Sequence, residues 1–593
     1  MKKRIISVLL AVCMCITLTS TTAMAASQKH GVITSVSTFS GILKDLIPGL
    51  TKGSTKPTSV YDLDLHVAAG AGLDGDVYIS ISKDTNKGKI YLPGSAKTDE
   101  LGLAWTADGI TISVDGTTYE NGSVPVPAAG ESLVYAINNG VKTVNVTLST
   151  LQGSGNVGSL FLNVDESLGT IAAMNNDETK ETLCYGTTNV SGKTYQFSMK
   201  GRGNSTWDMA KKPYNITFYK NNSGYSDKKK VALINGVEAK KWSLLANYMD
   251  NSLLRNKVGQ DLACAMGIGL DADYLDLYMN GEYLGNYLVT KKNDTGTPDA
   301  GFMLENDNYL DTDQFTLPKV VELGPTLNAI TLGSLNGYYN RMSIKDIGDD
   351  AGVTNSDIAN ITTQAWNALI DYKSEDYQNY WDIESWAKMY LMYEFTKSYD
   401  CFSGSVLMTY DTDSANPKAG KFVAGPAWDM DTTIGRTMHK FFCGVTIPAQ
   451  VTAQGWFVDS IGLAASNEPF CMLQEFGKHK SFLQEVARVY HQYEYAFVNV
   501  RNDIDAQANR IEASAAMDAD LWGLHHMGVY CYFTDIILGT GKYALPYDQT
   551  QTWRDYVNNM RLYAEKRQLW LSDNLASGKT IRTTHVPYKT VIE

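Results

Sequence analysis

The hydrophobic period of this chain changes partway along, and that change restricts what it can fold into. Over residues 59–151 apolar side chains alternate in short runs, including 77–82, 110–114 and 144–148. Asp115-Gly116, Asn121-Gly122 and Asn139-Gly140 punctuate them. Short alternating runs between turn dipeptides predict a β-sandwich of about one hundred residues. More strands follow at 160–164, 195–200 and 213–219, and residues 242–266 read as a loop and then a helix. Asn280-Gly281, between runs 274–279 and 283–290, is a strong hairpin signal. Residues 355–400 read as helical, and 406–410 with 422–424 as a second hairpin. In the last third Phe482, Val486, Val489, Tyr493 and Phe497 recur at helical spacing, as do Trp553, Val557, Met560, Ala564, Leu571 and Leu575. The expected class is α+β, with a small all-β sandwich ahead of a larger unit whose C-terminal part is helical.

A length of 593 residues sets a prior of about three to five domains. The pattern divides it into a signal peptide (1–25), a linker (26–57), the sandwich (58–152), one large domain (155–577) and a tail (578–593). The chain carries 51 basic and 64 acidic residues, a net charge of −13. Such a surface repels phosphate backbones, so nucleic acid is not the expected partner.

The first residues state where the chain works. Lys2, Lys3 and Arg4 precede an apolar run over 5–19, and Ala23-Met24-Ala25 supplies small residues for signal-peptidase cleavage after Ala25. The run is shorter than the roughly 20 residues a membrane span needs, so a secreted protein without a transmembrane segment is expected. Cleavage removes three positive charges and leaves −16. Six cysteines remain, at 184, 264, 401, 443, 471 and 531, with neither a CxxC pair nor zinc spacing. Buried thiols and one or two disulfides both suit such a chain.

Several motifs fail on spacing. Residues 186–194 approach a phosphate-binding loop, but five residues rather than four separate Gly186 from Gly192, and a strand follows where a helix is required. A hairpin turn is expected there. The acidic loop 411–416 lacks the glycine and distal glutamate of a calcium loop. Neither HExxH nor GxSxG is present.

Four polar segments remain. Lys200-Gly201-Arg202-Gly203-Asn204-Ser205-Thr206-Trp207 is followed by Lys211-Lys212-Pro213. Its glycines would let backbone amides approach an anion, with Arg202 and Lys212 adding charge. The others are 241–256, 398–405 and 425–436. In the last two, Asp400 follows a helix, Ser405 stands five residues on, and Asp429 ends a hairpin strand. Protein kinases use this layout: the first Asp accepts the substrate hydroxyl proton, and the later groups hold Mg²⁺ against phosphates.

Read together, RGNSTW with KKPYNITFYK, KWSLLANYMDNSLLRN, YLGNYLV, FMLEND and GPAWDMDTTIGR resemble the CotH family of spore-coat kinases and their secreted relatives. The resemblance runs over 155–577. It implies an atypical protein-kinase-like fold that uses ATP and Mg²⁺ (or Mn²⁺) to phosphorylate Ser or Thr of a protein substrate. It further implies that Asp400 is the catalytic aspartate and Asp429 the metal-binding one, with Asp431 beside it. Ser405 takes the second metal position. Arg202, Gly203, Asn204 and Ser205 form the loop near the nucleotide, and Lys212 and Arg255 match phosphate-contacting positions. Two departures stand out: many relatives have Asn at Ser405, and many have Glu where this chain has Lys291-Lys292. These keep a competing expectation alive, a catalytically weak or inactive kinase-fold protein that acts in surface or matrix interaction or adhesion, with a partner bound through its β-domain.

Overall fold

The computed structural model describes residues 58–203, 205–234, 236–306, 341–398, 405–438, 452–458, 472–524 and 552–575. Short strands at Val320–Glu322, Ile330–Leu332, Leu335–Tyr338 and Tyr530–Tyr532 complete the description. The signal peptide and linker expected before residue 58, the tail after 577, Asp400 and Asn204 lie outside the described residues.

The first hundred described residues form two sheets. One has four strands, in the order Val77–Tyr78, His66–Val67, Gly102–Ala104, Val124–Pro125. The other has six, in the order Ile81–Ser82, Lys87–Leu92, Thr143–Gln152, Ser132–Asn138, Thr111–Val114, Thr117–Tyr119. The run 77–82, continuous by sequence, is divided: its two halves join different sheets, as strands do at sandwich corners. Alternation fills the space between the sheets, where Ile90, Leu92, Ile112, Tyr135, Ile137, Val146 and Leu148 are fully buried.

A seven-stranded closed barrel follows. Its strands are β1 (Gly158–Val164), β2 (Cys184–Val190), β3 (Lys193–Gly201), β4 (Tyr214–Lys220), β5 (Lys241–Leu245), β6 (Ala272–Met279) and β7 (Glu282–Lys291). The order is β1-β2-β3-β4-β5-β7-β6, and parallel pairing of β1 with β6 closes it. The turn between β2 and β3 holds Ser191 and Gly192 at positive φ, a hairpin where a phosphate loop would need a helix. Asn280 and Gly281, at φ 47° and 79°, make the β6–β7 hairpin turn. Where the sequence suggests a loop at 242, the chain forms β5 instead, because Trp242 and Leu244 are fully buried in the barrel core.

Beyond the barrel, helix α1 (Arg255–Ala265) leads back to β6. A five-stranded sheet contains β8 (Gly301–Asn306), β9 (Arg341–Ile347), β10 (Val406–Asp411) and β11 (Phe422–Ala424), with Val320–Glu322 at its edge. Helices α2 (Asn355–Ile370), α3 (Ile383–Thr396), α4 (Lys480–Trp522) and α5 (Trp553–Leu575) supply the helical C-terminal part. Trp366, Trp381, Trp386, Phe476 and Tyr563 are fully buried in one large core there. Among the described residues no helix is long and apolar enough to cross a membrane. Cys184 is a buried free thiol and Cys264 an exposed one.

The core of the sandwich continues into the barrel and α4. Its apolar cluster takes in Phe161 of β1, Tyr278 and Tyr283 of the β6–β7 hairpin, and Met517 of α4. Phe161 stacks on Tyr278 at 4.3 Å, and Tyr91 on Tyr283 at 5.2 Å. Helix α4 has 43 residues, so it is about 65 Å long and reaches each layer in turn. Asp520 accepts from Lys89 and Tyr91 of the sandwich. Asp518 pairs with buried Lys211 and accepts from the Asn286 amide at 2.8 Å. The Ser514 hydroxyl donates to Asp276 of β6 at 2.8 Å.

Two expectations follow. Phe161→Ala should cost about 3–5 kcal/mol in urea unfolding, the usual range for a fully packed phenylalanine. A loss under about 1 kcal/mol would show that sandwich and barrel do not share a core. Asp276 gives a pH dependence. Burial raises its carboxyl to about 6 from an ordinary 3.8. The stability this group contributes is therefore complete below the ordinary value and lost as pH rises through about 6. Unfolding of Asp276→Asn and the native chain at pH 4 and pH 8 should differ most at pH 8, in favour of the variant, by on the order of 2 kcal/mol.

Candidate functional site

The acidic loop lies between β11 and Arg436, and α1 holds it from behind. Three side chains of α1 do this. The Asn256 Oδ1 accepts from the Met430 amide at 2.8 Å, between the two aspartates. Gln260 donates to the Ala427 carbonyl at 2.7 Å. Arg255 donates through Nε to the Thr433 carbonyl at 2.8 Å and through Nη2 to that of Ile434 at 3.4 Å. Gly259 is glycine for a packing reason: a Cβ there would stand 2.7 Å from Met430 Cγ. So pinned, the loop holds Asp429 at φ 54° and Ile434 at φ 47°. The left-handed region suits a short polar side chain but strains a β-branched one, and surrounding bonds must enforce it. The Ile434 amide donates to the Thr396 carbonyl at 2.8 Å and the Thr433 hydroxyl to the Met430 carbonyl at 2.6 Å.

Arg255 is fully buried. It forms an ion pair with Asp250 and also donates to the Ser252 hydroxyl at 3.1 Å. Asp250 in turn accepts from the Ser252 and Arg255 amides at 3.0 and 2.9 Å. Burial opposes ionisation of Asp250, yet Arg255 and Arg436 hold its carboxyl below the ordinary range. The motif read as a phosphate contact at Arg255 thus builds the N-terminal turn of α1, with its guanidinium committed to protein groups. Lys212 also turns inward: its ammonium donates to the Trp207 carbonyl and lies 4.9 Å from that ring.

Arg202 does face the acidic loop. Its guanidinium stands 5.6 Å from the ring of Trp428. Burial lowers its pKa, while Asp429, Asp431 and Glu305 all favour its charge. The flanking glycines serve the turn: a Cβ on Gly201 would strike the Trp207 ring at 2.5 Å, and Gly203 has φ 84°. Ser205 begins a 3-10 turn, Ser205–Asp208.

Ser405 joins the site from the start of β10. Its hydroxyl donates to Asp429 Oδ2 at 2.9 Å, and its amide to Glu305 Oε1 at 3.1 Å. The Asp429 carboxyl is pushed up to about 6, first by burial and then by Asp431 and Glu305, against the pull of Arg202. Burial also raises Asp431, with Arg436 and Arg202 opposing and Asp250 adding to the shift. The segment leading to Asp400 is anchored at Lys397, which ends α3 at φ 51° and donates to the Thr452 and Gln454 carbonyls at 2.8 and 2.7 Å.

The structure therefore brings Arg202, Ser405, Asp429 and Asp431 together, and places Lys212 and Arg255 on other duties. Sequence reasoning missed Glu305, Asn256 and Gln260 as site-building groups. Glu305 carries a legible signal, a carboxylate in strand Gly301–Asn306, whose positions are all buried. Asn256 carries none, since its partner is a backbone amide 174 residues away. Lys291 and Lys292 lie near Asp271 and Asp294.

An acidic, oxygen-only donor set facing one guanidinium is suited to a hard divalent cation. Among the described residues no three His, Cys, Asp or Glu side chains converge as a full ligand set. Mg²⁺ commonly takes one or two carboxylates and completes its shell with water and phosphate oxygens, so Asp429 with Ser405 fits that mode. Residues 199–571 match the family model described as CotH kinase protein, and the chain belongs to that family. No curated protein matches it.

Asn256→Ala should leave the Met430 amide unpaired and lower stability by about 1–3 kcal/mol. Chemical denaturation checks this, and a loss under about 0.5 kcal/mol would mean the bond does not hold the loop.

Proposed function

We propose that this protein is a secreted CotH-type kinase that transfers the ATP γ-phosphate to Ser or Thr of an extracellular or coat protein. The observation that carries the reading is Asp429, held in the left-handed region by α1 and facing Arg202, with the Ser405 hydroxyl on its carboxylate. Phosphoryl transfer needs positioning and charge neutralisation more than covalent chemistry, which such a site offers. Asp429 and Ser405 would hold Mg²⁺ or Mn²⁺, which supplies neutralisation of phosphate oxygens when bound. Arg202 adds a fixed positive charge within reach of the same oxygens. Burial raises the Asp429 and Asp431 carboxyls, with neighbouring carboxylates adding to the shift, and a bound cation would favour their charged forms. The role of Asp400, accepting the acceptor hydroxyl's proton, rests on the family resemblance alone. Export rests on residues 1–25.

A second reading, a kinase-fold protein of weak or absent activity that binds a surface partner, draws on Ser405. A hydroxyl is a poorer divalent-cation ligand than the amide many relatives carry there. The mature chain should be incubated with labelled ATP and Mg²⁺ or Mn²⁺, alone and with a Ser/Thr-rich protein. Asp429→Asn should cut labelling at least about a hundredfold. Equal labelling by variant and native chain would overturn the kinase reading, and none by either would favour the second.

A further inference from the structure

We propose that a band of exposed lysines at one end of the barrel binds a linear polymer of phosphate groups. Charge is unevenly spread along the chain. Residues 193–241 hold 11 of its 51 basic residues and 3 of its 64 acidic ones, so one short stretch is strongly positive in a chain of net charge −13. Part of that charge is already committed. Arg202 faces the acidic loop, Lys211 pairs with buried Asp518, Lys212 donates to the Trp207 carbonyl, and Lys200 pairs with Glu181 at 2.8 Å. Much of the remainder gathers at the far end of β4.

Backbone hydrogen bonds fix that gathering. The Lys229 amide donates to the Phe218 carbonyl at 2.9 Å, and the Phe218 amide to the Lys240 carbonyl at 3.0 Å. On the other side of β5 the Lys292 amide donates to the Lys241 carbonyl at 3.3 Å. Lysines thus stand on four neighbouring segments: 228–230, β4, the start of β5 and the end of β7. At the ordinary strand spacing the band is about 14 Å wide. Lys220 pairs with Asp227, Lys291 with Asp271 and Lys292 with Asp294. Lys228, Lys229, Lys230 and Lys240 are exposed and enter no ion pair among the described residues.

Four uncompensated ammonium groups in one band repel one another and attract a partner that carries repeated negative charge. The band is narrow and the chain as a whole is acidic. A duplex or a bilayer would press its charge against carboxylates, whereas a single flexible strand meets only the band. Every cation in it is lysine. The compact ammonium serves a phosphate as a point charge, whereas bidentate recognition of carboxylates favours arginine. The band is separate from the acidic site. Gly201, next to Arg202, pairs with Tyr214 at the start of β4, and Lys220 ends that strand, about 20 Å away. The polymer would therefore hold the protein to its surroundings while the acidic site stays open, whatever reaction that site performs.

Binding of labelled long-chain inorganic polyphosphate to the full mature chain, followed by fluorescence anisotropy over a salt series, tests this. Thermal melting of each form reports folding. Lys228→Gln, Lys229→Gln, Lys230→Gln and Lys240→Gln combined should weaken binding at least about tenfold and flatten its salt dependence by roughly one power of salt concentration per contacting lysine. Arginine at the same four positions should retain most of the binding. Lys83→Gln, Lys87→Gln, Lys97→Gln and Lys142→Gln combined remove as much exposed charge from the sandwich and should leave binding as in the native chain. Arg202→Gln should leave it unchanged too. If the native chain does not bind, or binds equally well without the four band lysines, the inference is wrong. It is also wrong if the sandwich form loses as much, since net charge alone then decides, or if Arg202→Gln does, since the polymer then sits in the acidic site. Tighter binding to polyglutamate, duplex DNA or phosphatidylglycerol vesicles than to polyphosphate would overturn the assignment of the partner. Affinity that drops only in forms that melt early would overturn the site.

Discussion

Arg255 carries a full charge with no exposure to water, and such a charge is tolerable only where folding supplies partners for it. The partners come from two directions. Asp250 and Ser252 come from the turn that leaves the barrel, and the carbonyls of Thr433 and Ile434 come from the acidic loop. The guanidinium is thus a rivet between the end of β5, the start of α1 and the loop that carries Asp429. Breaking one partner of a buried pair typically costs about 3–5 kcal/mol, because the other charge is stranded. Asn256 and Gln260, further along the same helix, extend the grip to Met430 and Ala427. The strained left-handed conformations at Asp429 and Ile434 persist because these bonds over-determine them.

What is pinned this way is an imbalance of charge. Asp429, Asp431 and Glu305 crowd around Arg202, in a chain whose net charge is already −13. Burial raises the Asp429 and Asp431 carboxyls, and the neighbouring acids add to it. Lys345, entering from a bulge, adds a second cation on the far oxygen of Glu305. Positive charge here is local and held by neighbours against the overall field. The long helix α4 ties the sandwich and the barrel to one body through Asp520, Asp518 and Ser514.

Much of the fold was legible because it follows local rules. Alternation marked the sandwich strands, Asn280-Gly281 marked the β6–β7 hairpin of the barrel, and helical spacing marked α4 and α5. The errors fall where a long-range partner overrides the local pattern. Trp242 and Leu244 form a strand because the barrel wall needs one more member. The stretch 77–82 splits because two sheets compete for it. Arg255 and Lys212, which the resemblance matches to phosphate-contacting positions, donate to backbone carbonyls, and a sequence does not show whether a cation faces a ligand or a carbonyl.

The sequence by itself determined the mixed helix-and-sheet class and the family, and it named Asp429, Asp431, Arg202 and Ser405 as candidates, because motif residues carry their chemistry with them. Only the tertiary structure decided which cations face those carboxylates. That choice depends on barrel closure, on a bulge between β8 and β9, and on hydrogen bonds from α1 to backbone atoms more than 160 residues away. Backbone partners leave no mark on residue identity, so a sequence can name the acids of a site without revealing what balances them.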